Sequence, residues 1–263
     1  MASARTLFRL TALLLPCLTA ADMPLLHDYV GYNSLKYGIV PNQSYVTADF
    51  VSPLFQVNVW DKEKVDTTLP YLFLAMNQSK QLWSPMIFDS SDLSLVYADP
   101  KWEVAMDTRI QKYNNVSYLT YWAGTFTDAG GHGEGHCFFL DDKYELAFNI
   151  STKNLPAGVM TDMHECQMTD DGTVIITAYI PTKYDLTAVG GPADGLLLDS
   201  AFEEIDMATM ESRFVWRASE HFSITDTYIP YLDSPSGWDF FHINSIQKVL
   251  KSLTLTEVTL FGN

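Results

Sequence analysis

The sequence predicts an all-β protein, an incomplete β-propeller of about three to four blades preceded by a short β/loop segment. Aromatic residues make up 13% of the chain, and they are mixed with the β-branched residues that favour strands. Apolar stretches of strand length alternate with short acidic or serine turns, and no segment has a convincing helical period. Hairpins of this kind recur at intervals of about forty to fifty residues, which is typical of propeller blades.

The first 21 residues have the pattern of a secretory signal peptide. Arg5 and Arg9 supply a positive end, Leu10 to Leu18 form an apolar run, and Thr19 to Ala21 are small residues at a cleavage site. The apolar run is shorter than the roughly 20 residues that span a bilayer. We therefore assign residues 1–21 to a signal peptide and expect a secreted, extracellular protein without stable membrane insertion.

The charge of the chain argues against nucleic acid as a partner. The chain has 16 basic and 32 acidic residues, and loss of the two signal-peptide arginines changes the net charge from −16 to −18. Such a surface repels nucleic acid and anionic lipid. It does not exclude an anionic small molecule, because a few cationic groups can set the potential inside a pocket.

Glycosylation signals support the secretory route. Four Asn-x-Ser sequons, none with proline in the middle, lie at Asn42, Asn77, Asn115 and Asn149. Two cysteines, Cys137 and Cys166, remain once the signal peptide is removed. In an oxidising compartment they predict one disulfide, and the alternative is a pair of free buried thiols.

Strand signals follow one another along the chain after an N-terminal β/loop segment at 22–68. Three versions of the same hairpin read FDSSDLSLVY, FFLDDKYELAF and FEEIDMATMESRFVW. The predicted strands from residue 69 onward are Tyr71–Ala75, Trp83–Phe88, Leu93–Tyr97, Trp102–Met106, Ser117–Trp122, Phe138–Leu140, Glu145–Phe148, Thr173–Tyr179, Leu196–Leu198, Phe202–Ile205 and Ser212–Trp216.

Four strings in the second half carry a resemblance to a known family. They are HECQMTDDGTVIITAY, YDLTAVGGPADG, DSAFEEID and GWDFFHINSIQ. With them the chain resembles the secreted fungal branch of the arylsulfotransferase family from about Pro70 to Lys248. The resemblance implies a six-bladed propeller, of which residues 69–248 would form a part. Residues 249–263 depart from the family pattern as a divergent tail, so we expect a truncated product.

The resemblance also implies a reaction and its residues. In the family, a sulfuryl group moves from an aryl sulfate to a phenol through a histidine adduct, without a nucleotide donor. His164 and His242 match the histidines of two family strings and are the predicted catalytic residues. His132 and Asn244 are predicted beside the substrate, and Asn244 with Ser245 would also orient His242. Read without the family, each of the two catalytic histidines is a strand residue satisfied by a backbone carbonyl.

Two further family residues have no counterpart in this sequence. The resemblance implies an arginine shortly after the H-x-N-S string and a later histidine that acts as nucleophile, and residues 243–263 contain neither residue type. A neutral imidazole can attack sulfur because a phenolate leaves readily, but the sulfuryl oxygens also need fixed cations or N–H donors around them. We therefore expect this chain to be inactive as a sulfotransferase.

The glycine-rich string from Gly130 to His136 raises a metal alternative. Its H-x-E-x-H spacing differs from the helical H-E-x-x-H of zinc proteases, and its glycines disfavour a helix. We predict a loop beside the ligand, with no metal and no cofactor. Two other functions stay open, namely a non-catalytic propeller that binds an anionic aromatic or a sugar, and a metal-dependent hydrolase that uses His132 or His136.

Overall fold

A computed structural model describes residues 26–45, 50–61, 63–66, 68–75, 84–102, 104–127 and 131–250, together with the backbone of 256–262. The predicted signal peptide and the sequon at Asn77 lie outside these residues, as does Gly130. The described part is all-β, as predicted, and it is built from antiparallel sheets. One short helix, α1 (Tyr29–Asn33), escaped the sequence pattern because a single turn has no period; the Asp28 side chain caps it by accepting from the Gly31 amide at 2.9 Å.

The strands run in chain order. They are β1 (Asn42–Ser44), β2 (Val51–Pro53), β3 (Tyr71–Ala75), β4 (Pro85–Asp89), β5 (Leu95–Ala98), β6 (Ala105–Tyr113), β7 (Val116–Phe126), β8 (Gly133–Leu140), β9 (Leu146–Ile150), β10 (Cys166–Met168), β11 (Thr173–Tyr184), β12 (Gly195–Asp206), β13 (Ser212–Arg217), β14 (Ile243–Leu250) and β15 (Thr256–Gly262). Two short 3-10 turns, Thr187–Val189 and Ala218–Glu220, complete the regular elements. Within the described ranges, no helix has the length and apolar character needed to cross a membrane.

Each sheet is a meander in which neighbours in the chain are neighbours in the sheet. The sheets are β1-β2, β3-β4-β5, β6-β7-β8-β9, β10-β11-β12-β13 and β14-β15. Strands of one sheet can follow each other so closely because tight turns join antiparallel neighbours. The divergent tail contributes β15, whose backbone pairs with β14 from Ile243↔Gly262 to Leu250↔Thr256.

The two strands predicted at Leu196–Leu198 and Phe202–Ile205 are one strand, β12. It pairs with β11 along its whole length, from Thr173↔Asp206 to Tyr184↔Gly195. Between the two predicted segments lies Asp199, which is completely buried inside the sheet. Its carboxylate is compensated by an ion pair with Arg217 at 2.8 Å. The prediction of two separate strands was wrong because a buried polar residue that has an ion-pair partner does not interrupt a strand.

From Gly133 to His136 the glycine-rich string is part of strand β8 and not the predicted loop. Its glycines are required by packing. A Cβ on Gly135 would lie 2.3 Å from the Ala123 carbonyl oxygen and 2.7 Å from the indole of Trp122. Trp122 is completely buried, so these glycines let the backbone approach the indole closely.

Three apolar clusters lie between consecutive sheets. The first joins the sheet β3-β4-β5 to β6-β7-β8-β9, the second joins that sheet to β10-β11-β12-β13, and the third continues to β14. Representative members are Ile87 with Tyr121 in the first, Phe139 with Ile176 in the second, and Phe202 with Ile246 in the third. The core is therefore a series of face-to-face contacts between one meander and the next.

A disulfide crosses the second of these clusters. Cys137 in β8 and Cys166 at the start of β10 are bonded, with 6.3 Å between their Cα atoms, and both are buried. Of the two alternatives that the sequence left open, the structure has the disulfide. The bond ties the sheet that carries β8 to the first strand of the next sheet, two residues after His164.

Candidate functional site

The structure brings His164 and His242 into direct contact. His164 lies two residues before β10, and His242 immediately precedes β14. Their Nε2 atoms are 3.3 Å apart, and the rings are perpendicular with centroids 4.8 Å apart. The two histidines from different family-like strings therefore share one site; their catalytic role stays a prediction.

A buried carboxylate holds His164. Asp162 is 1% exposed, and one of its oxygens accepts from the backbone amide of His164 at 3.1 Å and contacts the Nδ1 of the same residue. The other oxygen accepts from the amide of Gly133 at 2.7 Å. The imidazole of His164 is thus fixed through Nδ1, and its Nε2 faces His242.

A second carboxylate, Asp239, holds two histidines. Its Oδ2 atom lies 2.6 Å from Nδ1 of His242 and 3.0 Å from Nε2 of His132. The hydrogen bond to Asp239 raises the pKa of His242 above its ordinary value. Burial acts to raise the pKa of Asp239, but the hydrogen bonds from the two histidines outweigh it and the pKa is lowered.

Asn244 and Ser245 do not orient His242 as predicted. In the described structure neither side chain hydrogen-bonds the imidazole, and Asp239 makes that contact instead. Asn244 lies half-buried at a register shift between Ile243 and Ser245 in β14. The hydrogen-bond partner of the ring is instead the carboxylate of Asp239, three positions before His242 in the chain.

His132 and Tyr179 complete the group. His132 is 5% exposed, lies just before β8, and packs edge-on against Tyr179 with centroids 4.3 Å apart. The Tyr179 hydroxyl accepts from the Ile243 amide at 3.0 Å and donates to the Ile243 carbonyl at 3.2 Å. Burial raises the pKa of Tyr179, so its phenol stays neutral.

Sequence reasoning missed three of these residues, Asp162, Tyr179 and Asp239. A signal for the two carboxylates was present in the spacing, since Asp162 lies two positions before His164 and Asp239 lies three positions before His242. Nothing comparable marks Tyr179, which lies in a strand of apolar and β-branched residues and reaches the site only through the packing of β11 against β14.

His136 does not join His132 as the H-x-E-x-H alternative required. Among the residues that the structure describes, His132, Asp239 and His242 bring their ligand atoms within 4.8 Å of one another, and His136 is not in that group. The His136 ring instead lies 6.1 Å from that of Phe138. The H-x-E-x-H spacing of His132 and His136 therefore did not predict the cluster that forms.

A cavity of about 510 Å³ lies beside His132 and Tyr179, and His164 and His242 are not part of its lining. His132 and Tyr179 form part of its wall, and the apolar part includes Met160, Ile180 and Leu198. This volume falls within the usual range of about 300 to 1,000 Å³ for small-molecule sites, and a mainly apolar wall with a few polar groups is typical of them.

A second ionic group lies next to His164 in the chain. Glu165 pairs with the Arg109 guanidinium at 2.7 Å and accepts from the Ile246 amide at 3.4 Å. Asp107 lies 2.9 Å from the same guanidinium. Burial raises the pKa of Asp107 to about 7; the Glu165 carboxylate adds to this shift and the Arg109 guanidinium opposes it. The group connects β6, the segment before β10 and β14.

A comparison with known families identifies the chain. The family model described as arylsulfotransferase (ASST) matches residues 109–256, more than half of the 263 residues. The chain belongs to the arylsulfotransferase family. The match to the family contains all three clustered histidines and extends to Thr256, past Lys248. No curated protein and no solved structure matches the chain significantly.

Proposed function

We propose that this arylsulfotransferase-family protein binds the sulfuryl group of an aryl sulfate at His164 and His242. One observation carries the proposal, the 3.3 Å approach of the two Nε2 atoms from distant parts of the family match. A sulfuryl oxygen beside this contact lies within reach of both imidazoles. The raised pKa of His242 favours its protonated form, whose Nε2–H is a fixed donor of the kind that negatively charged oxygens need. The family membership supplies the substrate class, an aryl sulfate or a phenol.

The neighbouring cavity supports an aromatic ligand. Its apolar side chains, with Tyr179 and His132 in the wall, provide a surface for an aromatic ring. The rings of His132 and Tyr179 also lie 5.0 and 5.7 Å from that of His242, which places the cavity next to the histidine pair. Aromatic rings prefer offset or edge-on contacts with other rings, and Tyr179 already makes such contacts with His132 and His164. We propose that the ring of the substrate occupies this cavity.

We also propose that the sheets are blades of a propeller. Consecutive meanders pack face to face, and side chains connect the first strands of neighbouring sheets: Gln111 of β6 donates to the Cys166 carbonyl at 2.8 Å and accepts from the Met168 amide at 2.7 Å. First strands that adjoin in this way are expected around the axis of a propeller.

We also propose that the protein is secreted and glycosylated. The asparagines of the three described sequons, Asn42, Asn115 and Asn149, are exposed, which glycosylation requires. The disulfide between Cys137 and Cys166 suits an oxidising compartment. Mass spectrometry of the protein recovered from a eukaryotic culture medium tests both points, and an unmodified protein retained in the cell would contradict them.

We further propose that this chain binds without transferring the sulfuryl group, because the arginine and the additional histidine that the family resemblance implies are missing from residues 243–263. Binding and turnover are therefore measured separately. Calorimetric titration of the full chain with 4-nitrophenyl sulfate should show saturable binding that falls at least about tenfold in His164→Ala and in His242→Ala.

The matched control is His221→Gln, which alters an exposed histidine stacked on Trp216 away from the site; its affinity should equal that of the wild type. Release of nitrophenolate in the presence of a phenol acceptor should not exceed that of the double histidine variant. Turnover above this background would refute the proposed inactivity, and lack of saturable binding by the wild type would refute the proposed site.

A further inference from the structure

We propose that His132, Asp239 and His242 form a binding site for a divalent first-row transition cation of the Zn²⁺ class. The ligand atoms are Nε2 of His132, Nδ1 of His242 and the carboxylate of Asp239. The sequence placed His132 with Glu134 and His136 and predicted no metal. The fold instead brings to His132 a carboxylate and an imidazole from a segment 107 positions away.

The spacing of the ligand atoms supports a cation. Zinc bonds of about 2.0 to 2.2 Å in a tetrahedron place neighbouring ligand atoms about 3.3 Å apart. Here the Oδ2 of Asp239 is 3.0 Å from the His132 nitrogen and 2.6 Å from the His242 nitrogen, and all three atoms lie within 4.8 Å of one another. Small side-chain movements would bring all three to bonding distance of one ion.

The donor set selects the kind of cation. Two imidazoles and one carboxylate suit zinc and its first-row neighbours, whereas Mg²⁺ and Ca²⁺ prefer oxygen ligands. Three protein ligands with an open fourth position are the usual arrangement of a catalytic zinc site. The Oδ1 atom of Asp239 is buried and has no hydrogen-bond partner among the described residues, so it is also free to approach an ion.

The charge of the cluster calls for a cation as well. Asp162 and Asp239 are both largely buried, and their ion pairs within the described residues are with histidines alone. Buried carboxylates are stable only when compensated, and a divalent cation bound to Asp239 would compensate its carboxylate directly.

The contact between the two imidazoles leads to the same conclusion. If Nδ1 of both His164 and His242 donates to its aspartate, the two Nε2 atoms face each other at 3.3 Å with their lone pairs. This contact is relieved by a proton shared between the two nitrogens, and it is also relieved by a cation. A cation on Nδ1 of His242 moves the proton of that ring to Nε2, which then donates to His164 and through it to Asp162.

This hydrogen-bonded chain has the form expected around a metal. A ligand histidine normally donates its other ring N–H to an acceptor that is itself held in place, and loss of that acceptor typically lowers metal affinity about 10- to 100-fold. Here His164 would be the acceptor and Asp162 would hold it. The site uses the Nδ1 side of His242, so it goes beyond the proposed binding of an aryl sulfate and does not depend on it.

The test is a metal titration of the full, untagged chain without any aryl sulfate. The chain is stripped with a chelator, and ZnCl₂ is titrated in competition with a chromophoric chelator. One zinc per chain is expected. Asp239→Asn and His132→Gln should each lower the affinity about 100-fold or more, and His164→Gln about 10- to 100-fold. Substitution of Co²⁺ should give the visible spectrum of a tetrahedral site with nitrogen ligands.

Two controls locate the site. His136→Gln alters the other histidine of the glycine-rich string, and His221→Gln alters an exposed one; both should bind zinc as the wild type does. Absence of stoichiometric zinc, or loss of binding in His136→Gln with retention in Asp239→Asn, would overturn the proposal. If Asp239→Asn fails to fold, X-ray absorption of the zinc-loaded wild type decides, because two imidazoles and a carboxylate must appear in the first coordination sphere.

Discussion

The Nε2 atoms of His164 and His242 lie 3.3 Å apart although 78 positions separate the two residues in the chain. Each ring is fixed at Nδ1 by its own aspartate, Asp162 or Asp239. The contact is therefore set by two local Asp–His units that the packing of neighbouring sheets brings together.

This contact predicts that the two histidines act as one unit in binding. Residues in direct contact show interaction energies of about 0.5 to 3 kcal/mol in double-mutant cycles. His164→Gln and His242→Gln should each weaken binding of 4-nitrophenyl sulfate, and the double variant should lose little more than either single one. Calorimetric titration of the four proteins measures this, and losses that add within about 0.3 kcal/mol would show that the histidines bind independently.

The disulfide predicts a stability loss. It closes a loop between residues 29 positions apart, for which chain entropy gives about 3 to 4 kcal/mol. Cys137→Ala with Cys166→Ala should lower the free energy of unfolding by about this amount in guanidinium denaturation. A reducing agent should weaken the wild type similarly and leave the double variant unchanged. A reductant-insensitive wild type as stable as the variant would rule out this role.

Arg109 predicts a large stability effect from one cation. Arg109→Met leaves the buried Glu165 carboxylate without its ion pair, and removing one partner of a buried pair costs about 3 to 5 kcal/mol. Arg213→Met is the matched control, since Arg213 pairs with Asp206 while 48% exposed, and exposed pairs contribute less than about 1 kcal/mol. Equal losses of unfolding free energy in the two variants would contradict the central position of Arg109.

Asp107 predicts a pH dependence of stability. Burial raises its pKa in the folded protein from 3.8 to about 7, so the folded state keeps a proton that the unfolded state loses. The contribution of Asp107 to stability is therefore fully present below about pH 4 and is lost as the pH rises to about 7. The Asp107→Asn variant lacks this loss, and asparagine tolerates the left-handed backbone at this position, where φ is 55°.

The measurement for Asp107 is guanidinium unfolding of both proteins at several pH values from 4 to 7. The variant should gain stability relative to the wild type as the pH rises, because titrations common to both proteins cancel in the difference. A difference that is constant with pH, or that changes in the opposite direction, would show that the carboxyl is ionised in the folded protein.

Gly135 predicts a packing effect. In Gly135→Ala the new Cβ would meet the Ala123 carbonyl and the buried indole of Trp122, and such overpacking costs about 1 to 3 kcal/mol or more. Gly190→Ala is the control, because Gly190 has a positive φ of 84° but open space around it, so only backbone strain of about 1 kcal/mol is expected. Thermal unfolding separates the two, and a milder effect at Gly135 than at Gly190 would refute the indole contact.

The sequence predicted the strands well where alternation and turn residues lie side by side. It predicted β3 at Tyr71–Ala75 with the bounds the structure has, and it failed at β12, where Asp199 is buried with a partner supplied by Arg217. It also failed at the glycine-rich string. Glycines in a sequence indicate a loop, but here they make room for the indole of Trp122, which lies on the neighbouring strand. In each failure the deciding group lies on another strand.

The sequence by itself determined the all-β class, many of the strands, the family strings and the two histidines that carry the resemblance, because pleat, turn and motif are local properties of the chain. Only the tertiary structure decided that Asp239 joins His132 to His242 and that His242 faces His164. Those contacts depend on which sheet faces pack together, and that packing is set by many apolar contacts distant in sequence, none of which leaves a signal beside the residues it brings together.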